Sequence, residues 1–302
     1  MLNSGALSLT PSAGSSHAQG SNYGFTSGAI PTSNVIDRFA FSSNTTATDW
    51  GNLTVARATA AGSSSTTEGF TSGGSVSNTT IDKFSFTSSS GATDHGDLLL
   101  GRPGSAGSSS TTHGFTSGGE PSSETNSINK FAFTSNTTAA DHGDLTTPAH
   151  EPSGSSSSDY GFTAGGVYGS RINSIYKFAF ASNTTAADHG DLTVALCCST
   201  GNSSPDYGYH VGGSSGSGSY LSAIEKFAFA SNTTAASHGD LADNRGGQPA
   251  GISSTDSGFT AGGTTDNVYT NVIEKFDLAS NTTASDHGDL QSAKGYMAGT
   301  QY

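Results

Sequence analysis

Apolar residues along this chain come in short bursts. Around residue 130 the stretch "INKFAF" alternates in both directions: Phe131 and Phe133 fall on one face of an extended segment, and Ile128 and Ala132 fall on the other, with Lys130 between them. Both faces therefore carry apolar groups, whereas a sheet with one wet side would alternate apolar with polar. No segment holds an apolar period of 3.6 residues long enough for a helix. The pattern predicts short strands in sheets that need a neighbour on each side.

The bursts recur. "GFTSG" or a close variant begins at Gly24, Gly69, Gly114, Gly161, Gly208 and Gly258, in steps of 45, 45, 47, 47 and 50. An Ile-x-(Lys/Arg)-Phe marker puts its Phe at Phe39, Phe84, Phe131, Phe178, Phe227 and Phe276. "SNTTA" recurs with Asn44, Asn136, Asn183, Asn232 and Asn281, "DHGDL" or a variant closes each unit, and a small-residue run such as "AGSSSTT" opens the next. Each unit reads as four strands: a (the small run), b ("HGFTSGG"), c ("INKFAF") and d ("DHGDL"). Radial closure of six such sheets gives every sheet two neighbours. The expected fold is all-β: one six-bladed β-propeller domain over 1–302, four antiparallel strands per blade. The units run approximately 11–53, 54–98, 99–145, 146–192, 193–241 and 242–290, with a C-terminal segment 291–302. Ala, Gly and Ser suit strand a, because blades crowd at the axis.

The ends compete for one place. Residues 5–16 contain a small-residue copy of strand a near Ala13–Ser16, and the C-terminus contains another. The N-terminal copy is expected to take the axial position, because Tyr296, Met297 and Tyr302 are bulky. The C-terminal copy is expected across the blade seam or against a neighbouring subunit.

Composition would by itself lean towards disorder, with 41 Gly and 32% apolar residues, and only the order of the residues argues otherwise. A net charge of −13 disfavours nucleic acid as a partner. No run of 18 apolar residues exists, so no membrane insertion by a helix is expected. The N-terminus lacks a basic region followed by an apolar stretch and does not read as a signal peptide. Cys197 and Cys198 are adjacent, which is neither a disulfide framework nor a zinc spacing.

The paired glycines ending strand b, the strand-c aromatic and the strand-d slot resemble the kelch repeat, over about residues 11–290. Kelch repeats usually carry Trp in strand d. Here the slot holds Trp50 once and then His95, His142, His189, His238 and His287. The wording "GFTSGG…I.KF.F.S…A.DHGDL" is also similar to repeat proteins of marine tailed phages and their hosts. That resemblance implies a virion or extracellular-surface location and other virion or surface proteins as partners, within a larger assembly.

A slot that accepts either indole or imidazole reads as packing plus one N–H donor, with no metal and no cofactor. Catalysis needs one differentiated constellation, and six near-equal copies give none, so no catalytic residue and no enzyme are expected. A copper-radical oxidase would need a mixed ligand set at the axis, where the strands offer Ser and Gly and the cysteines stand alone. The strand-c cations Arg38, Lys83, Lys130, Lys177, Lys226 and Lys275 are expected to pair with Asp residues of strand d. The Asn of each "NTT" reads as a turn residue rather than a glycosylation site.

Alternating strands put the b–c and d–a loops on one face. Between the second glycine slot and the Ile, the b–c loops hold 6, 6, 8, 8, 10 and 9 residues. Variable loops on a rigid scaffold are where recognition usually sits. The candidate binding residues are Tyr168, Arg171, Tyr220, Asp266 and Tyr269, for a protein partner or, as the alternative, a glycan bound by a surface or secreted propeller.

Overall fold

The computed structural model describes residues 20–75, 78–120 and 123–301. It is a six-bladed β-propeller, and no helix occurs among the described residues. Blade 2 is the simplest: strands a (Ala61–Ser64), b (Glu68–Ser72), c (Thr80–Ser85) and d (Thr93–Asp97) pair antiparallel in chain order. Blade 3 (Ala106–Ser109, His113–Ser117, Ser127–Ala132, Ala140–Asp144) repeats it. Blade 4 (Ser153–Ser156, Tyr160–Ala164, Ser174–Ala179, Ala187–Asp191) adds a small hairpin, Val167–Tyr168 against Ser170–Arg171, in its b–c loop. Blade 5 (Thr200–Ser203, Tyr207–Val211, Ser219–Ala228, Ala236–Arg245) has a longer c–d pair. Blade 6 (Ala250–Ser253, Ser257–Ala261, Val272–Asp277, Ser285–Asp289) carries a second b–c hairpin, Thr264–Thr265 against Val268–Tyr269.

Blade 1 corrects the expectation about the ends. Its strands b, c and d are Tyr23–Ala29, Ser33–Ala40 and Thr48–Arg57, and its strand a is Ala298–Gln301, which pairs with Gly24–Ser27. The C-terminal copy thus takes the axial place, and the rival copy near Ala13–Ser16 lies outside the described residues. The bulk argument failed because Tyr296 and Met297 precede the strand. Met297 turns into the core between blades 6 and 1, and Ala298 and Gly299 meet the axis.

Glycine sets the axial spacing. A methyl group built on Gly62, Gly107, Gly154, Gly201, Gly251 or Gly299 would stand 2.0–2.3 Å from the carbonyl oxygen of its counterpart in the preceding blade. The six form a closed ring, Gly62 meeting Gly299 and Gly299 meeting Gly251. The axis below holds small cavities, two of them about 80 and 60 Å³, lined by Gly, Ser and Ala with few larger groups. That is room for a few waters.

The core is therefore not central. It is six wedges, one between each pair of blades. Phe131 and Phe133 pack on Phe70, Ile81 and Leu98 of blade 2, and Ile128 packs with Phe178 and Phe180 of blade 4. The glycine of "GFT" makes room in its own sheet. A methyl group at Gly114 would lie 2.2 Å from the Phe131 ring directly across the ladder.

Strand d ties each blade to the next. His95, His142, His189, His238 and His287 place Nε2 2.8–2.9 Å from a strand-c carbonyl of the following blade, and Trp50 donates Nε1–H to Ser85 O at 2.8 Å. A carbonyl only accepts, so the imidazole carries its proton on Nε2. Burial holds His142, His189, His238 and His287 below the usual histidine value. The "NTT" asparagines are not left-handed. Asn136, for one, donates its amide to Asp94 O of the preceding blade at 3.2 Å.

The expected pairing of strand-c cations with strand-d carboxylates is not found among the described residues. Lys130 and Lys177 donate to Phe180 O and Phe229 O, and Arg38 lies 3.9 Å over the Trp50 ring. Lys83 meets Glu68 of strand b. The register-fixing ion pairs use the residue before the cation and reach across blades: Arg57–Asp82 at 2.9 Å, Arg245–Glu274 at 2.7 Å and Lys294–Asp37 at 2.6 Å, all buried.

Candidate binding face and axial mouth

The d–a and b–c loops share one face, as short bridges show: His150 pairs with Val167, Cys197 with Ser214, and Gly246 with Thr264. At the centre of this face each d–a loop makes the same turn into strand a. The residue three places before the axial glycine is left-handed in every blade: Thr59 (φ 55°), Gly104 (64°), Glu151 (57°), Cys198 (60°), Gln248 (42°) and Tyr296 (56°). Main-chain bonds link these turns into a circle. Gly104 N donates to Thr59 O, Glu151 N to Gly104 O, Cys198 N to Glu151 O, Gln248 N to Cys198 O, Met297 N to Gln248 O and Thr59 N to Tyr296 O, at 2.8–3.2 Å.

A left-handed backbone favours glycine, and other residues pay about 1–2 kcal/mol for it. Five of the six blades accept that cost, and with Gly104 the six carry six different residues. The strands around it repeat far more closely. This ring is the differentiated constellation that reading the repeats for their common residues does not reveal.

Its side chains meet. Cys198 Sγ donates to Glu151 Oε2 at 2.7 Å and lies 2.9 Å from Cys197 Sγ, so the cysteines do not stand alone as the sequence suggested. The Cys198 thiol is pushed up by its bond with Cys197 and by burial. The Cys197 thiol is held down, chiefly by the Cys198 hydrogen bond and with help from Arg171. The Tyr296 hydroxyl is pushed up first by burial, then by Glu151, Cys198, Tyr269 and Tyr220. Beneath the rim, His210 Nε2 lies 2.6 Å from Ser199 Oγ, and full burial pushes that imidazole down to about 3.

The residues singled out in the sequence divide. Arg171 reaches from blade 4 to Ser214 O of blade 5 at 2.8 Å, beside Cys197. Tyr220 packs its ring over Gly246 and donates its hydroxyl to Asn267 Oδ1 at 3.0 Å. Burial and the neighbouring Tyr220 push the Tyr269 hydroxyl up. These three join the rim. Tyr168, 52% exposed, and Asp266 stand apart at the tips of the two hairpins, Asp266 and Asn267 forming a left-handed two-residue turn. Thr59, Glu151, Cys197, Cys198, Gln248 and Tyr296 were missed. Their one signal is a fixed offset from the axial glycine.

No protein-family model and no curated protein matches the chain. Among solved structures it is similar to that of YjhT, with a TM-score of 0.68 over 81% of this chain and 87% of that one, at 12% identity. At that identity the likeness shows the fold alone.

Proposed function

We propose that the chain is a non-enzymatic recognition scaffold that meets a protein partner through the b–c/d–a face, as a virion or tail-associated component of a larger assembly. The observation that carries this reading is the contrast between the two faces. One repeats the same Asn-to-carbonyl contact from blade to blade, at Asn44, Asn136, Asn183, Asn232 and Asn281. The other gathers Arg171, Tyr220, Tyr269 and Tyr296 around six unlike rim residues, with exposed hairpins beside them. Tyrosine and arginine on a rigid frame supply contact area at low entropic cost. The phage-like wording of the repeats supports the virion setting. The acidic charge supports a partner other than nucleic acid.

A photoreactive side chain at Tyr168, in the native assembly, should transfer its label to a neighbouring protein, and one at Asn136 should not. The reverse outcome would assign the partner to the uniform face. The second reading, glycan binding, is favoured by exposed Tyr168 at one hairpin tip and by the polar Asp266–Asn267 turn at the tip of the other. Glycan binding lost in a Tyr168→Ala, Asp266→Ala variant of unchanged melting temperature would support it.

A further inference from the structure

One group of side chains at the mouth is not required by the axial turn that carries it. At the place of Cys197 the other blades carry Ala58, Pro103, His150, Gly247 and Gly295, so the repeat requires no sulfur there. At the place of Cys198 they carry Thr, Gly, Glu, Gln and Tyr. Yet the ligand atoms of Glu151, Cys197 and Cys198 all lie within 4.8 Å of one another. Two adjacent cysteines in an extended strand would point to opposite faces. Here the left-handed turn at Cys198 (φ 60°) folds the second sulfur back beside the first.

We propose that Glu151, Cys197 and Cys198 form a binding site for one thiophilic divalent ion of the zinc class, with a fourth coordination position open to the axial mouth. Two sulfurs and one carboxylate oxygen suit a borderline-soft ion. Magnesium and calcium take oxygen sets. Zinc–sulfur bonds of about 2.3 Å put two tetrahedral sulfurs about 3.8 Å apart, so the pair must open from its present 2.9 Å. Cys198 is only partly buried, which gives an ion its path, and Cys197 is buried. Binding replaces two thiol protons with the ion, so both are released and the carboxylate stays ionised. The site is independent of which face meets a partner.

The test titrates reduced full-length protein with cadmium, read by thiolate-to-metal absorption, and then with zinc in competition. One equivalent should bind, release two protons and raise the melting temperature. Cys197→Ala with Cys198→Thr recreates the Ala58–Thr59 sequence of blade 1, so this variant should fold. It should bind neither ion and show no thermal shift. Glu151→Gln should weaken binding by more than about tenfold, since losing even a ligand's hydrogen-bond partner costs 10–100-fold. Absent or non-saturable binding in wild type, or binding that survives in the double variant, would overturn the site. Binding untouched by Glu151→Gln would overturn the three-ligand set.

Discussion

Lys294 Nζ lies 2.6 Å from Asp37 Oδ2, with both side chains almost fully out of water. The pair joins blade 6 to blade 1, where the ring closes. Breaking one partner of a buried pair leaves an uncompensated charge and costs about 3–5 kcal/mol. Lys294→Met should lose that much in urea denaturation, and Lys294→Met with Asp37→Leu should recover most of it. Blade 4 already uses an apolar version at this place, Ala149 against Tyr176. Removing residues 296–302 should abolish cooperative unfolding, because Ala298–Gln301 supplies the inner ladder of blade 1. A truncated chain as stable as the full one would refute closure by that strand.

The axial glycines should not tolerate a methyl group. Gly107→Ala puts a carbon 2.0 Å from Gly62 O, a backbone atom held on both sides. The expected loss is about 1–3 kcal/mol, the usual cost of overpacking. Gly216→Ala, whose new methyl group would come no nearer than 3.6 Å to Ser219 Oγ, should change stability by under about 0.5 kcal/mol. Calorimetry on the two variants distinguishes steric crowding from a general need for glycine.

His142 offers a test of the inter-blade donor. His142→Trp keeps an N–H and matches Trp50, so it should unfold within a few degrees of wild type. His142→Phe fills the slot but leaves Ala179 O without its partner at 2.8 Å. That variant should lose about 1–3 kcal/mol. Equal stability of the two would show that the hydrogen bond contributes nothing.

His210 should make the protein acid-sensitive. Its folded value near 3 lies far below its ordinary 6.5. A depressed value means that the unfolded chain binds the proton first. The stability is therefore present above pH 6.5 and is lost as pH falls towards 3. At about 1.36 kcal/mol per unit, roughly 2–3 kcal/mol should disappear between pH 7 and 4.5. Thr stands at the equivalent place in every other blade (Thr26, Thr71, Thr116, Thr163, Thr260). His210→Thr should therefore flatten the decline by that amount, while His113, His142, His189, His238, His287 and Asp277 still contribute acid sensitivity and the raised carboxyls of Asp82, Glu225 and Glu274 oppose it. Parallel pH profiles would exclude His210 as the cause.

The fold was legible because six copies of one pattern average out local noise. Phe131, Phe133 and Ile128 fixed both faces of a strand, and only a ring gives every such strand two neighbours. The closing strand was misassigned by weighing Tyr296 and Met297. The informative pair was Ala298–Gly299, which repeats the Ala-Gly of residues 61–62 and 106–107. The ion pairs were misread because Asp82 and Arg57 belong to different blades, and spacing within one unit cannot show that. The rim escaped for the opposite reason. Thr59, Glu151, Cys198, Gln248 and Tyr296 share a backbone shape and no side chain, so comparing units discards them as variation.

Closure by Ala298–Gln301 also orders events during synthesis. That strand leaves the ribosome after every other strand of the ring. Until then the inner edge of blade 1, Gly24–Ser27, has no ladder partner, and the seam where Phe39 and Phe41 meet Phe259 lacks the Met297 side chain that packs there in the closed ring. A product that stops before Ala298 leaves that strand edge unpaired, the kind of exposed edge that invites aggregation and proteolysis.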